Sequence, residues 1–170
     1  MTIGVKAWML AWMMAWLFLG SETPRVSTGP RGPLPWERWG GEYRPLVIGA
    51  ALETGVPAVI LHRVIMAESG YFPRAVNRAN ANGTTDFGIC QLNSASLPVF
   101  EKAYNNGQPI DPFNPNQAIP VAARYLADNY RVLGSWWCAV AAYNCGAGRV
   151  RSRTIPASTV RYVAKVMGDI

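Results

Sequence analysis

With 170 residues, half of them apolar, the chain can build one domain with a true core and leave a short segment outside it. A net charge of +6 and a sequence pI near 9.5 favour anionic partners: nucleic acid, anionic lipid or an acidic cell-wall polymer. The cations are dispersed apart from a modest cluster at Arg149, Arg151, Arg153, Arg161 and Lys165. Neither a recognition helix nor aromatics set in a basic groove accompanies them, so no nucleic-acid partner is expected.

The first twenty residues, MTIGVKAWMLAWMMAWLFLG, place Lys6 ahead of an unbroken apolar run from Ala7 to Leu19. Thirteen residues fall short of the roughly twenty that span a bilayer and match the apolar core of an export signal. Leu19-Gly20-Ser21 is only loosely small as a cleavage site, so residues 1–20 read as an export signal or an uncleaved membrane anchor. Trp8, Trp12 and Trp16 recur every four residues and would share one helical face. Trp favours membrane interfaces, so the anchor reading carries membrane contact through residues 7–19. No cysteine follows to carry a lipid. Residues 21–41 are dense in Pro and Gly, lack an apolar period and read as a linker, leaving 42–170 as the folded domain. The expected location is the periplasm or cell envelope.

Helix punctuation runs through the rest. Pro45 suits a first helical turn and Gly55 an end. Pro57 opens PAVILHRVIMAES, which Gly70 closes. The segment from Ala75 to Ile89 is polar and contains Asn82-Gly83, a strong two-residue turn signal, so a small β-hairpin is expected there. Helices resume around 94–104. Asn114 is placed to cap a helix with Pro115 at its first position and Gly134 past its end. Ser135 is placed to cap WWCAVAAYN up to Gly146, and Pro156 or Ser158 begins a last helix that ends near Gly168. The class is mainly α, with one small β element.

Three cysteines allow at most one internal bridge. Cys138 and Cys145 lie two turns apart on one expected helix, too far to bond each other, so any bridge needs Cys90. With one histidine, His62, and no C-x-x-C, no metal site is expected. His62 reads as an exposed helix residue, and Trp136 and Trp137 as core rather than sugar platforms.

The chemistry concentrates at Glu68. Leu61, Val64, Ile65 and Glu68 share one side of their helix, so an apolar stripe ends in a carboxylate. It lies in the last turn, where the helix dipole disfavours an anion. Desolvation and dipole both raise its pKa, which is what a glycosidic general acid requires. The alternative is a glutamate that reaches solvent from a frayed helix end.

Glu68-Ser69, then FGICQLN, then AAYNCGAGRV, then RYV, in this order, resemble the lytic transglycosylase domain of the goose-type lysozyme-like superfamily over most of residues 45–168. The stretch VNRANANGTTDFGICQLNS also resembles the hairpin of animal-type lysozymes and the small transglycosylases that accompany secretion and conjugation systems. The resemblance implies an α+β lysozyme-like fold, helical with a small hairpin beside the active-site cleft. It implies Glu68 as catalytic acid/base, with Ser69 and Gln91 contacting the sugar N-acetyl group and ring substituents near the cut. Tyr143 and Asn144 would line the same cleft, and Tyr162 would match the late tyrosine beside the acid. Cys90 stands where methionine is usual and would put a thiol in the cleft.

The implied reaction breaks the MurNAc-β-1,4-GlcNAc bond of peptidoglycan with formation of a 1,6-anhydro ring, without metal or cofactor. Asp86 matches the second carboxylate of animal-type lysozymes, so a hydrolytic muramidase using Glu68 and Asp86 stays open; Asp86 could instead support the hairpin or stabilise charge. A non-catalytic exported glycan-binding module is a further alternative. Partners implied are glycan strands and a secretion, conjugation or phage-entry machine.

Overall fold

The computed structural model describes residues 41–168; the leader and all but the last residue of the linker lie outside them. A 3-10 turn over Gly41–Tyr43 leads into α1 (Arg44–Thr54) and α2 (Ala58–Glu68). Gly55 adopts φ 75° and its N–H closes α1 on the Ala51 carbonyl. Leu61, Val64 and Ile65 of α2 are fully buried. Each such side chain is worth roughly 1.5–3 kcal/mol relative to exposure, so the helix that ends at Glu68 is held firmly along its length.

The expected hairpin, β1 (Val76–Asn77) and β2 (Asp86–Phe87), is extended by β3 (Leu92–Asn93) into a three-stranded antiparallel sheet in that order. Val76 pairs with Phe87 and Asn77 with Asp86, so eight residues, 78–85, connect β1 to β2. Asn82-Gly83 therefore sits inside a wide polar loop rather than forming a two-residue turn. Gly83 turns that loop at φ 75°, its N–H bonded to the Asn80 carbonyl.

Four helices follow α3 (Leu97–Tyr104): α4 (Pro115–Leu133), α5 (Trp136–Cys145), α6 (Ala147–Arg151) and α7 (Ala157–Met167). Asn114 caps α4 by accepting from the Asn116 N–H, and Ser135 caps α5 by accepting from the Cys138 N–H. The short α6 had no signal in the sequence. Ala139, Val140, Ala141 and Ala142 of α5 are all fully buried, the mark of a helix enclosed by others. It packs on α4, α6 and α7, while α1 packs on α2 and α4, and α2 on α7. The small side chains of α5 permit this close approach.

Two expectations are corrected: the exposure of His62 and the place of the Cys90 thiol. His62 is buried, 7% exposed, and its Nδ1 lies 2.8 Å from the Tyr71 hydroxyl. Burial lowers its pKa, and the Arg63 charge lowers it further. Cys90, Cys138 and Cys145 are all free. The Cys90 thiol is wholly buried in the core rather than set in the cleft, because β2–β3 turns its side chain inward; burial pushes its pKa well up.

Candidate active site

A cleft of about 810 Å³ runs between the sheet and the helices. Its lining includes Glu68, Asp86, Gln91, Tyr143 and Asn144, so five sequence-predicted residues from four separate segments meet there. Tyr162, from α7, reaches Glu68 from behind: its hydroxyl donates to Glu68 Oε1 at 2.5 Å. Among the described residues, Glu68 Oε2 has no partner and is left for a ligand.

The Glu68 carboxyl is pushed up to about 7, chiefly by burial and also by the neighbouring charge of Asp86. The Tyr162 hydrogen bond and the Lys165 charge act the other way. Burial wins because the end of α2 is walled by apolar and aromatic groups, so water that would solvate the anion is displaced. The Tyr162 and Tyr143 hydroxyls have their pKa values raised by burial first, so both stay neutral donors.

The second carboxylate has a different setting. Asp86 Oδ2 accepts from Asn80 Nδ2 at 2.8 Å and Asn77 Nδ2 at 3.1 Å, and Oδ1 accepts from Asn93 Nδ2 at 2.7 Å. Thr84 joins this group through Asn80 and Asn93, 3.2 and 2.7 Å away. All five residues line the cleft. The wide β1–β2 loop supplies Asn80 and Thr84, which a tight turn could not have done. Asn77, Asn80 and Asn93 were missed in the sequence, although an asparagine-rich run around an aspartate was a signal for them.

Gln91 occupies left-handed backbone at φ 48°. Its own N–H and its Nε2 both donate to the Gly88 carbonyl, at 3.1 and 2.8 Å. Gly88 itself has φ 75°, and a Cβ there would meet the Pro112 carbonyl oxygen at 1.7 Å. Only glycine lets the β2–β3 turn lie against the segment before α4, and that contact sets the floor bearing Gln91. The Tyr143 hydroxyl donates to the Cys90 carbonyl at 2.8 Å, tying α5 to the same turn. Asn144 Oδ1 accepts from the buried Thr159 hydroxyl at 2.7 Å, tying α5 to α7.

Ser69 is not brought into the cleft lining. Its hydroxyl donates to the Ile89 carbonyl at 2.7 Å and accepts from the Phe72 N–H at 3.2 Å, fastening the end of α2 to the turn that carries Gln91. Trp136 stacks on Tyr130 with centroids 4.1 Å apart, and Trp137 is exposed; neither lines the cleft.

A family model described as the transglycosylase SLT domain matches residues 45–159, two thirds of the chain and all of the cleft-forming elements up to the first residues of α7. The chain belongs to the transglycosylase SLT domain family. Among curated proteins, this SLT domain chain is 31% identical to Protein IpgF of Shigella flexneri over 112 residues, 65% of this chain and 64% of that protein. It is 31% identical to Invasion protein IagB of Salmonella typhimurium over 98 residues, 57% of this chain and 59% of that one. The chain thus spans a little under two thirds of the length of these relatives. In fold it is similar to the 70 kDa soluble lytic transglycosylase SLT70 of Escherichia coli, at TM-score 0.65 and 23% identity, over 77% of this chain and 24% of that one. An inactive variant of the lytic transglycosylase Slt of Pseudomonas aeruginosa matches at TM-score 0.62 and 22% identity, with the same coverage. The small sheet beside a helical body is therefore the lysozyme-like SLT arrangement.

Proposed function

We propose that this SLT domain is a peptidoglycan lytic transglycosylase that cuts the MurNAc-β-1,4-GlcNAc bond and leaves a 1,6-anhydro-MurNAc end. The reading rests above all on Glu68: a carboxyl with a pKa of about 7, one oxygen held by Tyr162 and the other open to a glycan-sized cleft. Protonated Glu68 gives its proton to the glycosidic oxygen as the C1–O bond breaks and positive charge builds at the anomeric carbon. The carboxylate so formed takes the proton from the C6 hydroxyl of the same sugar as that oxygen bonds to C1. Glu68 returns to its acid form, and no water is consumed. A group poised near neutrality serves both steps, because neither protonation state is held too strongly.

The other cleft residues take roles that follow from their places. Gln91, with its carbonyl oxygen unpartnered among the described residues, and Asn144 would contact the N-acetyl group and ring substituents. Tyr143 would flank the sugar. Ser69 supports this from behind by holding the Gln91 turn to α2. Asp86 would stabilise the positive charge that develops at the anomeric carbon.

The presence of Asp86 in the same cleft favours a second reading, a hydrolytic muramidase in which a second carboxylate handles the attack. Three amides donating to both Asp86 oxygens speak against it as nucleophile, since they stabilise the anion and lower its reactivity. A binding module without turnover would have no need of a protonated carboxyl in the groove. Mass spectrometry of muropeptides released from purified sacculi separates these: the transglycosylase product is one water lighter than the hydrolase product. Reducing-end products overturn the reading, as does absence of release.

The export reading of residues 1–20 and the likeness to Invasion protein IagB of Salmonella typhimurium support a role in opening the envelope wall locally for a secretion machine. Blocked assembly of such a machine on deletion, restored by the wild-type chain and not by Glu68→Gln, tests that role.

A further inference from the structure

Arg149 is the one cation among the cleft-lining residues; the other ionisable groups there are Glu68, Asp86, Tyr125, Tyr143 and Cys145. Its side chain is exposed and forms no ion pair among the described residues, where the single ion pair joins Arg131 to Asp128. Its backbone is held in place. The Arg149 carbonyl accepts from the Thr154 N–H at 2.9 Å, and the Ser152 N–H bonds the Gly148 carbonyl at 3.0 Å. The Ser152 and Thr154 hydroxyls lie 2.8 Å apart, and Arg153 takes the left-handed φ of 59° that closes this turn. A short locked helix thus sets Arg149 at the cleft wall with no ion-pair partner among the described residues. Arg151 and Arg153, both exposed, follow it and add positive potential on that side.

Most other groups lining the cleft are amides, hydroxyls and aromatic faces, which suit neutral sugar rings. A guanidinium adds nothing a neutral ring requires, whereas its planar fork matches a carboxylate in two parallel hydrogen bonds. We propose that Arg149 is a specificity-determining residue that binds a carboxylate on the lactyl-peptide arm of the muramic sugar. This rests on the wall-glycan reading of the cleft. Two sources can supply that carboxylate: the acidic residues of the stem peptide, or the lactyl group itself where the peptide has been removed.

The test uses the full chain on three soluble strands: peptide-bearing, peptide-bearing with its carboxyls amidated, and peptide-free. The wild type is expected to lose about tenfold in kcat/KM on amidation, carried by KM, the size of one charge-assisted contact. Arg149→Gln is expected to cut charged and amidated strands alike at the lower rate, and Arg149→Lys to retain part of the preference and so report an intact fold. Loss in Arg149→Gln on the charged peptide-bearing strand alone assigns the stem peptide; loss on the peptide-free strand as well adds the lactyl carboxylate, which is free only there because the peptide-bearing strand holds it as an amide. An Arg149→Gln enzyme that keeps the wild-type preference overturns the inference, as does one that falls equally on charged and amidated strands. Failure of the wild type to release fragments from all three strands overturns the wall-glycan reading instead.

Discussion

On the helical side of the cleft, Glu68 ends an apolar stripe, bonds Tyr162 and shares the lining with Tyr143; on the sheet side, Asp86 sits among Asn77, Asn80, Asn93 and Thr84. The same functional group is treated in two ways. Around Glu68 the protein removes water and returns a single hydrogen bond, so the charged form is penalised. Around Asp86 it returns three amide donors. On the proposed reading, two carboxyls in one groove take separate tasks, proton transfer and charge stabilisation, because of their surroundings rather than their chemistry.

The most direct way to break this contrast is Glu68→Gln. Turnover on sacculi is expected to fall by about a thousandfold, in the range of a lost general acid, with the far-UV circular dichroism unchanged. The same variant sharpens it through stability. The folded-state pKa of Glu68 lies at about 7, above the ordinary 4.5 of a glutamate. The group's contribution is therefore fully present below about pH 4.5 and is lost as pH rises through about 7. The loss amounts to about 3 kcal/mol between those limits. In denaturant titrations the wild type should weaken over that window by this amount relative to Glu68→Gln, leaving the variant the more stable protein at pH 8. Parallel pH–stability curves for the two would contradict a desolvated acid.

Gly88→Ala attacks the joint between the two sides. A Cβ placed 1.7 Å from the Pro112 carbonyl oxygen, on backbone at φ 75°, cannot be accommodated without moving the turn that carries Gln91. The expected cost is roughly 2–4 kcal/mol of unfolding free energy, read as a lowered midpoint. An unchanged midpoint would mean that the floor of the cleft is not set by this contact.

The smallest effects are the most specific. Asp86→Asn removes a charge that raises the Glu68 pKa, and Tyr162→Phe removes a hydrogen bond that lowers it. The high-pH limb of kcat/KM, which reports protonated Glu68, should move to lower pH in the first and to higher pH in the second. Each shift is expected to be under about one pH unit. Shifts of the same sign would show that the two groups do not act on Glu68 from opposing directions.

Much of the helical frame was legible in the chain because its signals are local. Asn114-Pro115, Ser135, Gly55 and Gly134 mark ends by capping chemistry that needs only neighbouring backbone, and all four act where expected. The stripe Leu61, Val64, Ile65, Glu68 follows from helical periodicity, and the order of Glu-Ser, FGICQLN and AYNCGAG carried the family. The sheet was less legible, since strands of two residues have no period to read. Asn82-Gly83 promised a tight turn, yet the pairing of Asn77 with Asp86 left eight residues between the strands.

By itself the sequence determined where all the helices but the short α6 run, that an acid ends an apolar face, and which family's motifs are present, because caps, periods and motifs are properties of adjacent residues. Only the tertiary structure decided which Glu68 oxygen the Tyr162 hydroxyl bonds, that three amides hold Asp86, that Ser69 braces the cleft from behind, and that Cys90 and His62 are buried. Those outcomes depend on how distant segments exclude water from one another, and no local pattern encodes that exclusion.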